Sequence, residues 1–243
     1  MAHHNTFFVC TLLIFSLSFH GTDSALNFEV INQAAQTPGG MKFDQQLGIP
    51  GAKEILAQVN DFIWNEVLEQ TTPEDRIPMD HIEVLILENI VGGDGVASAN
   101  HINVSAIFFQ REPDIKHGFR HLMSHEMTHC LQWNGEGTTP QMLVEGIADY
   151  TTLRAKTVDR ARFEKPGDGE KWDQGYHITA LFLEYCDTVT PSFVAKLNKM
   201  MRKKYDVGYF KEITGKPVEQ LWSDYKAKYG GKLETKYGRK DIA

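Results

Sequence analysis

Alternating apolar and polar residues in the first half of the chain predict β-strands, because successive side chains of a strand point to opposite faces. The strongest candidate is HIEVLILENI at 81–90, whose two apolar faces are typical of a buried strand. Further strands are predicted at 26–32, 95–100 and 102–109, and TPGG at 37–40 has the composition of a turn. These segments predict a mixed, twisted sheet.

Helical spacing appears once between the strands and then dominates the second half of the chain. From Ala52 to Leu68 apolar residues recur at steps of four, which predicts an amphipathic helix. In the second half, the first helix should end before Gly135, and the next should open with Thr139 as N-cap and Pro140 at its first position. A third helix should run from Gly175 to Cys186. Two more are predicted at 191–204 and 217–229.

The order of these elements predicts an α+β fold, in which a mixed sheet with an edge strand backs the first helix of a mostly helical C-terminal half. The chain has 243 residues, of which 42% are apolar and 23% are charged, as in ordinary globular proteins. Residues 7–19 carry no charge and are too few to span a bilayer, which needs roughly 20. Because small residues follow in GTDSA, we expect residues 1–24 to be a secretory signal peptide and 25–243 to be one extracellular domain.

The charge balance excludes one large class of partners. The net charge is −7, and removal of residues 1–24 takes away one acidic residue, Asp23, and no Lys or Arg. The mature chain therefore remains acidic, and a nucleic-acid partner is not expected, since phosphate binding needs a basic surface. We expect a monomer that does not associate with membranes after signal removal.

Two cysteines would remain in the mature chain. Cys130 and Cys186 are an even number in an oxidising compartment, which favours one disulfide. The alternative is two buried free thiols, since cysteine is often buried. Asn103 begins the sequon Asn-Val-Ser and is a candidate for glycosylation in a secreted protein.

The segment SHEMTHCLQWNG at 124–135 contains the pattern H-E-x-x-H. On a helix, His125 and His129 lie one above the other with Cβ atoms about 6 Å apart, so both can bind one zinc ion. Glu126 is rotated by about 100° from His125 and can reach a water on that ion. A catalytic zinc site needs a third protein ligand, which this segment does not contain.

The third ligand is predicted to come from the next helix. The extended pattern with a third histidine is excluded because Gly135 stands where that histidine would be. Glu145 in LVEGIADY lies about as far from the connecting turn as His129, so the spacing permits a His-His-Glu site. Asp149, one turn later, can accept a hydrogen bond from a ligating imidazole. His121 lies on the same helix face as both histidines but is too far along the helix to share their ion.

Five segments of the chain resemble the plant basic secretory protein family, zinc peptidases of the zincin fold: FDQQLG, SHEMTHCLQWNG, VEGIADY, KWDQGYHITALFLEYCD and LWSDYKAKYG. The resemblance covers about 26–230 and implies an extracellular, defence-associated peptidase. It implies that His125, His129 and Glu145 are the zinc ligands and that Glu126 is the base. Two departures are the acidic mature chain and His177, where the family pattern implies Asp.

We predict a secreted, zinc-dependent peptidase of the apoplast or cell wall that acts on peptides or proteins. Tyr176 is the first candidate to stabilise the oxyanion, ahead of Tyr150 and His177, because such a site needs a donor beside the metal. The edge strand at 95–100 would bind an extended peptide as a further strand. The alternatives are a non-catalytic defence protein with structural zinc and a lectin-like wall-binding protein. The presence of Glu126 favours the enzyme because a structural site does not need it.

Overall fold

One mixed sheet forms the first half of the chain. The computed structural model describes residues 26–160, 163 and 165–230, and the predicted signal peptide lies outside these residues. Strands β1 (Asn27–Asn32) and β2 (His81–Leu87) are parallel neighbours, and β4 (His101–Ser105) is parallel to β2. Strand β3 (Gly95–Ser98) pairs antiparallel with β4 alone, which gives the order β1-β2-β4-β3 and places β3 at an edge. The predicted mixed sheet with an edge strand is confirmed.

In the central strand β2, one face is more deeply buried than the other. Ile82, Val84 and Ile86 are fully buried, whereas the alternate residues of the strand are half-buried. The strand predicted at 81–90 is therefore present as His81–Leu87, but its second apolar face, with Leu85 and Leu87, is only half-buried. The parallel pair β1 and β2 needs a long crossover, which helices supply.

The helices of the described chain account for most of its second half. Within those residues, no helix is both long and apolar enough to cross a membrane. The helix predicted at 52–68 is present but begins earlier and ends in a π-helical turn, Ile63–Val67. The helices are α1 (Pro38–Gln46), α2 (Gly48–Phe62), α3 (Ala106–Arg111), α4 (Ile115–Leu131), α5 (Gln141–Arg154), α6 (Tyr176–Val189), α7 (Phe193–Met200), α8 (Tyr209–Thr214) and α9 (Val218–Tyr229).

The predicted turn at 37–40 is the start of helix α1. The Thr37 hydroxyl accepts a hydrogen bond from the Gly40 backbone N–H at 3.1 Å and caps the helix, with proline at its first position. The glycines serve close packing, since a Cβ on Gly39 would lie 1.8 Å from the Ala106 carbonyl oxygen. The residues at 37–40 are thus suited both to a turn and to the start of a helix, and tertiary packing determines which of the two forms.

Strand β4 ends four residues earlier than predicted. Ser105 accepts a hydrogen bond from the Ile107 backbone N–H at 3.3 Å and starts α3. Phe108 and Phe109 are then buried on a helix, where Phe109 packs against Phe43 with ring centroids 5.0 Å apart. A short apolar run does not distinguish a strand from a buried helix by its spacing.

Several helix boundaries in the second half differ from prediction, and α6 ends at Val189 where Cys186 was predicted. Helix α4 ends at Leu131, well before Gly135, and the N-cap of α5 is Pro140, not Thr139. Pro140 has an extended backbone with ψ of 131°, so the helix begins only after it. The helix predicted at 191–204 is the shorter α7, and α8 was not predicted.

Helix α5 lies at the centre of the helical half. It packs most extensively against α6 and also against α4. Behind α6, Phe182 contacts Trp222 and Tyr225 of α9 with ring centroids 5.4 and 5.7 Å away. This aromatic cluster fixes α6, which in turn holds α5 against α4. The metal-binding candidates on α4 and α5 are therefore supported from behind by a packed core.

The predicted disulfide between Cys130 and Cys186 is wrong, because both cysteines are free and buried. Cys130 is on α4 and Cys186 is on α6, and α5 packs against both of these helices. An even count of cysteines shows only that pairing is arithmetically possible. The two thiols belong to different layers of the core, and burial raises the pKa of Cys130 to about 12, so its thiol remains protonated.

Candidate metal centre

The H-E-x-x-H residues lie in the last two turns of α4. Asp114 caps this helix by accepting a hydrogen bond from the His117 backbone N–H at 3.1 Å. The side chains of His125 and His129 are 17% and 16% exposed, enough to meet a cavity, while the other residues from Leu122 to Leu131 are buried. The loop after α4 returns the chain so that α5 packs against it, and Glu145 then faces both histidines.

The three predicted ligands converge on one point. Glu145 Oε2 lies 3.3 Å from His125 Nε2 and 3.4 Å from His129 Nε2. The two Nε2 atoms are 3.1 Å apart. A tetrahedral zinc ion with ligand bonds of about 2.0–2.1 Å separates its ligand atoms by about 3.3–3.4 Å. Within the described part of the chain this is the group of His, Cys, Asp and Glu residues that could hold a metal ion.

Asp149 sets the orientation of the first histidine. Its Oδ1 lies 2.8 Å from His125 Nδ1, so this ring nitrogen donates its proton to Asp149, and Nε2 is the atom that would bind a metal once its own proton is lost. Burial by itself lowers the pKa of His125, but hydrogen bonds to Asp149 and Glu145 outweigh it and raise the pKa to about 10. Burial also favours the neutral form of Glu145, yet hydrogen bonds from both histidines hold its pKa well below the usual range.

Gln132 makes the corresponding contact with the second histidine. Its Nε2 lies 3.0 Å from His129 Nδ1 and donates to the Val144 carbonyl at 3.2 Å. Its Oε1 is buried without a hydrogen-bond partner. A histidine that binds metal through Nε2 carries its proton on Nδ1 and needs an acceptor there. Rotation of the Gln132 amide would supply that acceptor from Oε1, in exchange for the hydrogen bond to the Val144 carbonyl.

Glu126 points from α4 to the edge strand. It is 6% exposed, and its carboxylate accepts a hydrogen bond from the Ala97 backbone N–H. Burial raises the pKa of Glu126, partly opposed by the two histidines. Gly95 permits this approach, since a Cβ there would lie 2.8 Å from Glu126 Cγ. An acid with a raised pKa beside the metal candidates is suited to accept and return a proton.

A cavity of about 650 Å³ covers this group. The β3 segment from Gly92 to Ala99 forms one wall, and Tyr176 and His177 at the start of α6 lie on another. The Tyr176 side chain is accessible to a ligand in the cavity, since the residue is 51% exposed. The negative charge of Glu145 raises the pKa of Tyr176, so its hydroxyl keeps its proton.

The other predicted residues take different positions. Tyr150 is fully buried and its hydroxyl binds Asp187 and Arg154, so it is not available to the cavity. His121 lines the cavity, but its Nδ1 lies 3.2 Å from Thr157 Oγ1 and it is outside the metal group. Asn103 is half-buried in β4, and its glycosylation stays a prediction.

His177, the departure from the family pattern, takes part in the same network. Its Nε2 lies 3.4 Å from Asp149 Oδ2, and its ring stacks on Phe163 with centroids 3.7 Å apart. Asp149 thus contacts an imidazole with each of its oxygens. Sequence reasoning placed His177 near the site but did not show this contact, because the loop before α6 carries no periodic signal.

Comparison with known proteins shows the family of the chain. Residues 23–225 match the family described as peptidase of plants and bacteria, and the chain belongs to it. A basic secretory protease from Boswellia serrata is 42% identical over 60 residues, which are 25% of this chain and 69% of that protein. No solved structure matches the chain. The predicted resemblance is confirmed, and the class is that of peptidases.

Proposed function

We propose that residues 25–243 form a secreted, zinc-dependent peptidase with a zincin-like arrangement of edge strand, H-E-x-x-H helix and glutamate helix. The observation that carries the proposal is the convergence of His125, His129 and Glu145 at distances of 3.1–3.4 Å, with Glu126 beside them in the same cavity. The two imidazoles and one carboxylate suit zinc and leave its fourth position open to the cavity.

Each residue of the site has a separate chemical role in this proposal. Zinc held by His125, His129 and Glu145 would polarise the scissile carbonyl and lower the pKa of water from about 15.7 towards 7. The Glu126 carboxylate accepts a proton from the attacking water and returns it to the leaving nitrogen of the cleaved peptide bond. The hydroxyl of Tyr176 is the candidate donor to the developing oxyanion.

The edge strand β3 binds the substrate in this proposal. Its outer side follows the cavity wall, and β4 occupies only its inner side. An extended peptide can therefore add as a fifth strand next to Glu126. The Ala97 N–H, which now binds Glu126, is on this outer side.

Secretion is part of the same proposal. The relative from Boswellia serrata is named a secretory protease, and residues 7–19 have the length and composition of a signal-peptide core. The compartment would be the apoplast or cell wall, where the enzyme would act in defence. The acidic balance of the chain argues against binding to acidic wall polymers.

A peptide-cleavage assay tests the proposal. The mature protein is loaded with zinc, assayed on a mixed peptide library, and assayed again after chelation and after zinc is restored. We expect cleavage that disappears with chelator and returns with zinc, and Glu126→Gln should lower kcat by about 10²–10⁴-fold while zinc content is unchanged. Glu29→Gln, the same change on the opposite edge strand, should behave as wild type. A protein that binds zinc but cleaves nothing would instead be the non-catalytic alternative.

A further inference from the structure

A second cavity of about 430 Å³ adjoins the catalytic one. Ala99, His129 and Asn134 line both cavities, so the two spaces meet at the second histidine. Strand β3 ends at Ser98, and Ala99 follows it directly. A peptide that lies along β3 therefore reaches the second cavity as it leaves the strand, within a few residues of the metal candidates.

One wall of the second cavity is apolar. Ile77, Pro78 and Met79, which precede β2, line it together with Trp133. Met79 and Trp133 are only partly buried and pack against the core, so each has surface available to a ligand. Apolar surface that lies open beside a catalytic cavity gains free energy when a substrate side chain covers it.

The aromatic part of this wall is held rigidly. The Trp133 indole donates to the Asp75 carbonyl at 3.0 Å, and its backbone N–H donates to Asn198 Oδ1 at 2.8 Å. The Arg202 guanidinium lies over the indole ring at 5.0 Å and donates to the Glu74 carbonyl at 2.9 Å. A wall fixed in this way binds without an ordering cost.

The charges of the cavity lie at its rim. The side chain of Asp80 is 91% exposed, and that of Glu136 is 63% exposed and binds Lys203 at 2.8 Å. Arg202 is already engaged with Trp133 and Glu74. A Lys or Arg side chain would find no buried carboxylate, whereas a large uncharged side chain would meet apolar atoms. The volume is sufficient for an aromatic ring.

We infer that the second cavity is a specificity pocket for a large apolar or aromatic side chain of the substrate, close to the scissile bond. This inference rests on the proposed peptidase function and adds the class of peptide that the enzyme selects. The side chain would contact Met79 and Trp133 while the peptide backbone pairs with β3. Met79 is the residue through which the preference can be changed, because it lines this cavity and not the catalytic one.

Cleavage-site profiling tests the inference. The zinc-loaded wild type is incubated with a peptide library, and products are identified by mass spectrometry. We expect Phe, Tyr, Trp, Leu or Met to be enriched about tenfold at one position near the cleaved bond. Met79→Lys should abolish the enrichment while zinc content is unchanged. Ile49→Lys, an equal change at an exposed position of α2 outside both cavities, should preserve it.

A binding measurement separates this inference from the proposed function. Fluorescence anisotropy would measure the binding of two labelled peptides to the Glu126→Gln protein. One peptide has Phe at the selected position, or at each position in turn, and the other has Gly there. We expect the Phe peptide to bind about tenfold tighter, and Met79→Lys in the same background to remove the difference. If the Phe peptide binds more tightly but the wild type cleaves no peptide, the proposed peptidase function is refuted and the specificity pocket is supported. Equal binding of both peptides, or an enrichment that survives Met79→Lys, would overturn the pocket.

Discussion

Asp149 Oδ1 lies 2.8 Å from His125 Nδ1, and Asp149 follows Glu145 by one turn of α5. One helix therefore presents both a candidate metal ligand and the carboxylate that orients another. Any rotation of α5 would move the two together. The aromatic packing of α6 against α9 opposes such a rotation, so the core behind the site contributes to its geometry.

Replacing Asp149 should weaken zinc binding without unfolding the protein. Asp149→Asn keeps the size of the side chain but removes the charge that raises the basicity of His125, and we expect about 10–100-fold lower zinc affinity. Competition with a chromophoric chelator measures this change. Asp44→Asn, at an exposed position on α1, is the matched control and should leave the affinity unchanged. Equal affinity of Asp149→Asn and wild type would contradict this role.

Zinc affinity should rise with pH. The pKa of His125 is raised to about 10 in the metal-free protein, so at neutral pH zinc has to displace a proton from this residue. Between pH 7 and 9 we expect the apparent association constant to increase about tenfold per unit. The same proton stabilises the metal-free fold fully below the unfolded pKa of about 6.5, and this contribution is lost as pH rises through about 10. Calorimetry in buffers of different ionisation enthalpy should detect the released proton, and a flat pH profile would disagree with this reading.

Substitution of Glu145 should impair metal binding, whereas substitution of Glu126 should impair turnover. Glu145→Ala leaves two protein ligands and should strip the protein of zinc, since a catalytic site normally has three. Glu126→Ala should keep zinc and lose turnover. Metal stoichiometry of the two purified variants distinguishes these outcomes. If Glu145→Ala retains zinc fully, the third ligand has to be sought at Asp149.

Gln132 should affect metal binding through its oxygen. Gln132→Leu removes the acceptor that His129 Nδ1–H needs, and we expect about tenfold weaker zinc binding. Gln132→Glu supplies only acceptor oxygens at the same place and should restore the affinity. Thermal unfolding of the metal-free variants is the control, because a purely structural role would destabilise both without this split. Weak binding by both variants at equal stability would exclude the proposed contact.

The backbone N–H of Ala97 should matter for turnover. Ala97→Pro removes the donor that faces Glu126 and blocks strand addition at this position, so KM should rise or cleavage should cease. Zinc content should not change, because the Ala97 N–H binds Glu126, which is not one of the three candidate ligands. Ala97→Ser retains the N–H and should keep near-normal kinetics. Normal kinetics of Ala97→Pro would show that the substrate does not bind along β3.

The candidate metal site was predictable because helical geometry is regular. The spacing of four residues from His125 to His129 places both side chains on one face of a helix, whatever the rest of the chain does. Glu145 was found by matching distances from a turn, although α4 ends and α5 begins at other residues than assumed. The three side chains still meet, since packing of two helices tolerates an error of a few residues in their ends.

The rest of the site depended on contacts between segments that are distant in sequence. The approach of Gly95 to Glu126 and the meeting of His177 with Asp149 arise from packing, and neither segment signals its partner. The start of α1 was mistaken for a turn for the same reason, because the contact between Gly39 and Ala106 is visible only in the fold.

The unpaired thiols of Cys130 and Cys186 have a practical consequence. A fold held by its core and not by a cross-link among its described residues does not require an oxidising environment. A chain of residues 25–243 should fold in the reducing cytosol of a bacterial host, without a disulfide isomerase. Reductants should leave its unfolding temperature unchanged, and maleimide reagents should label both cysteines only after denaturation. The variants above can then be produced in such a host, and zinc is added to each of them before the tests.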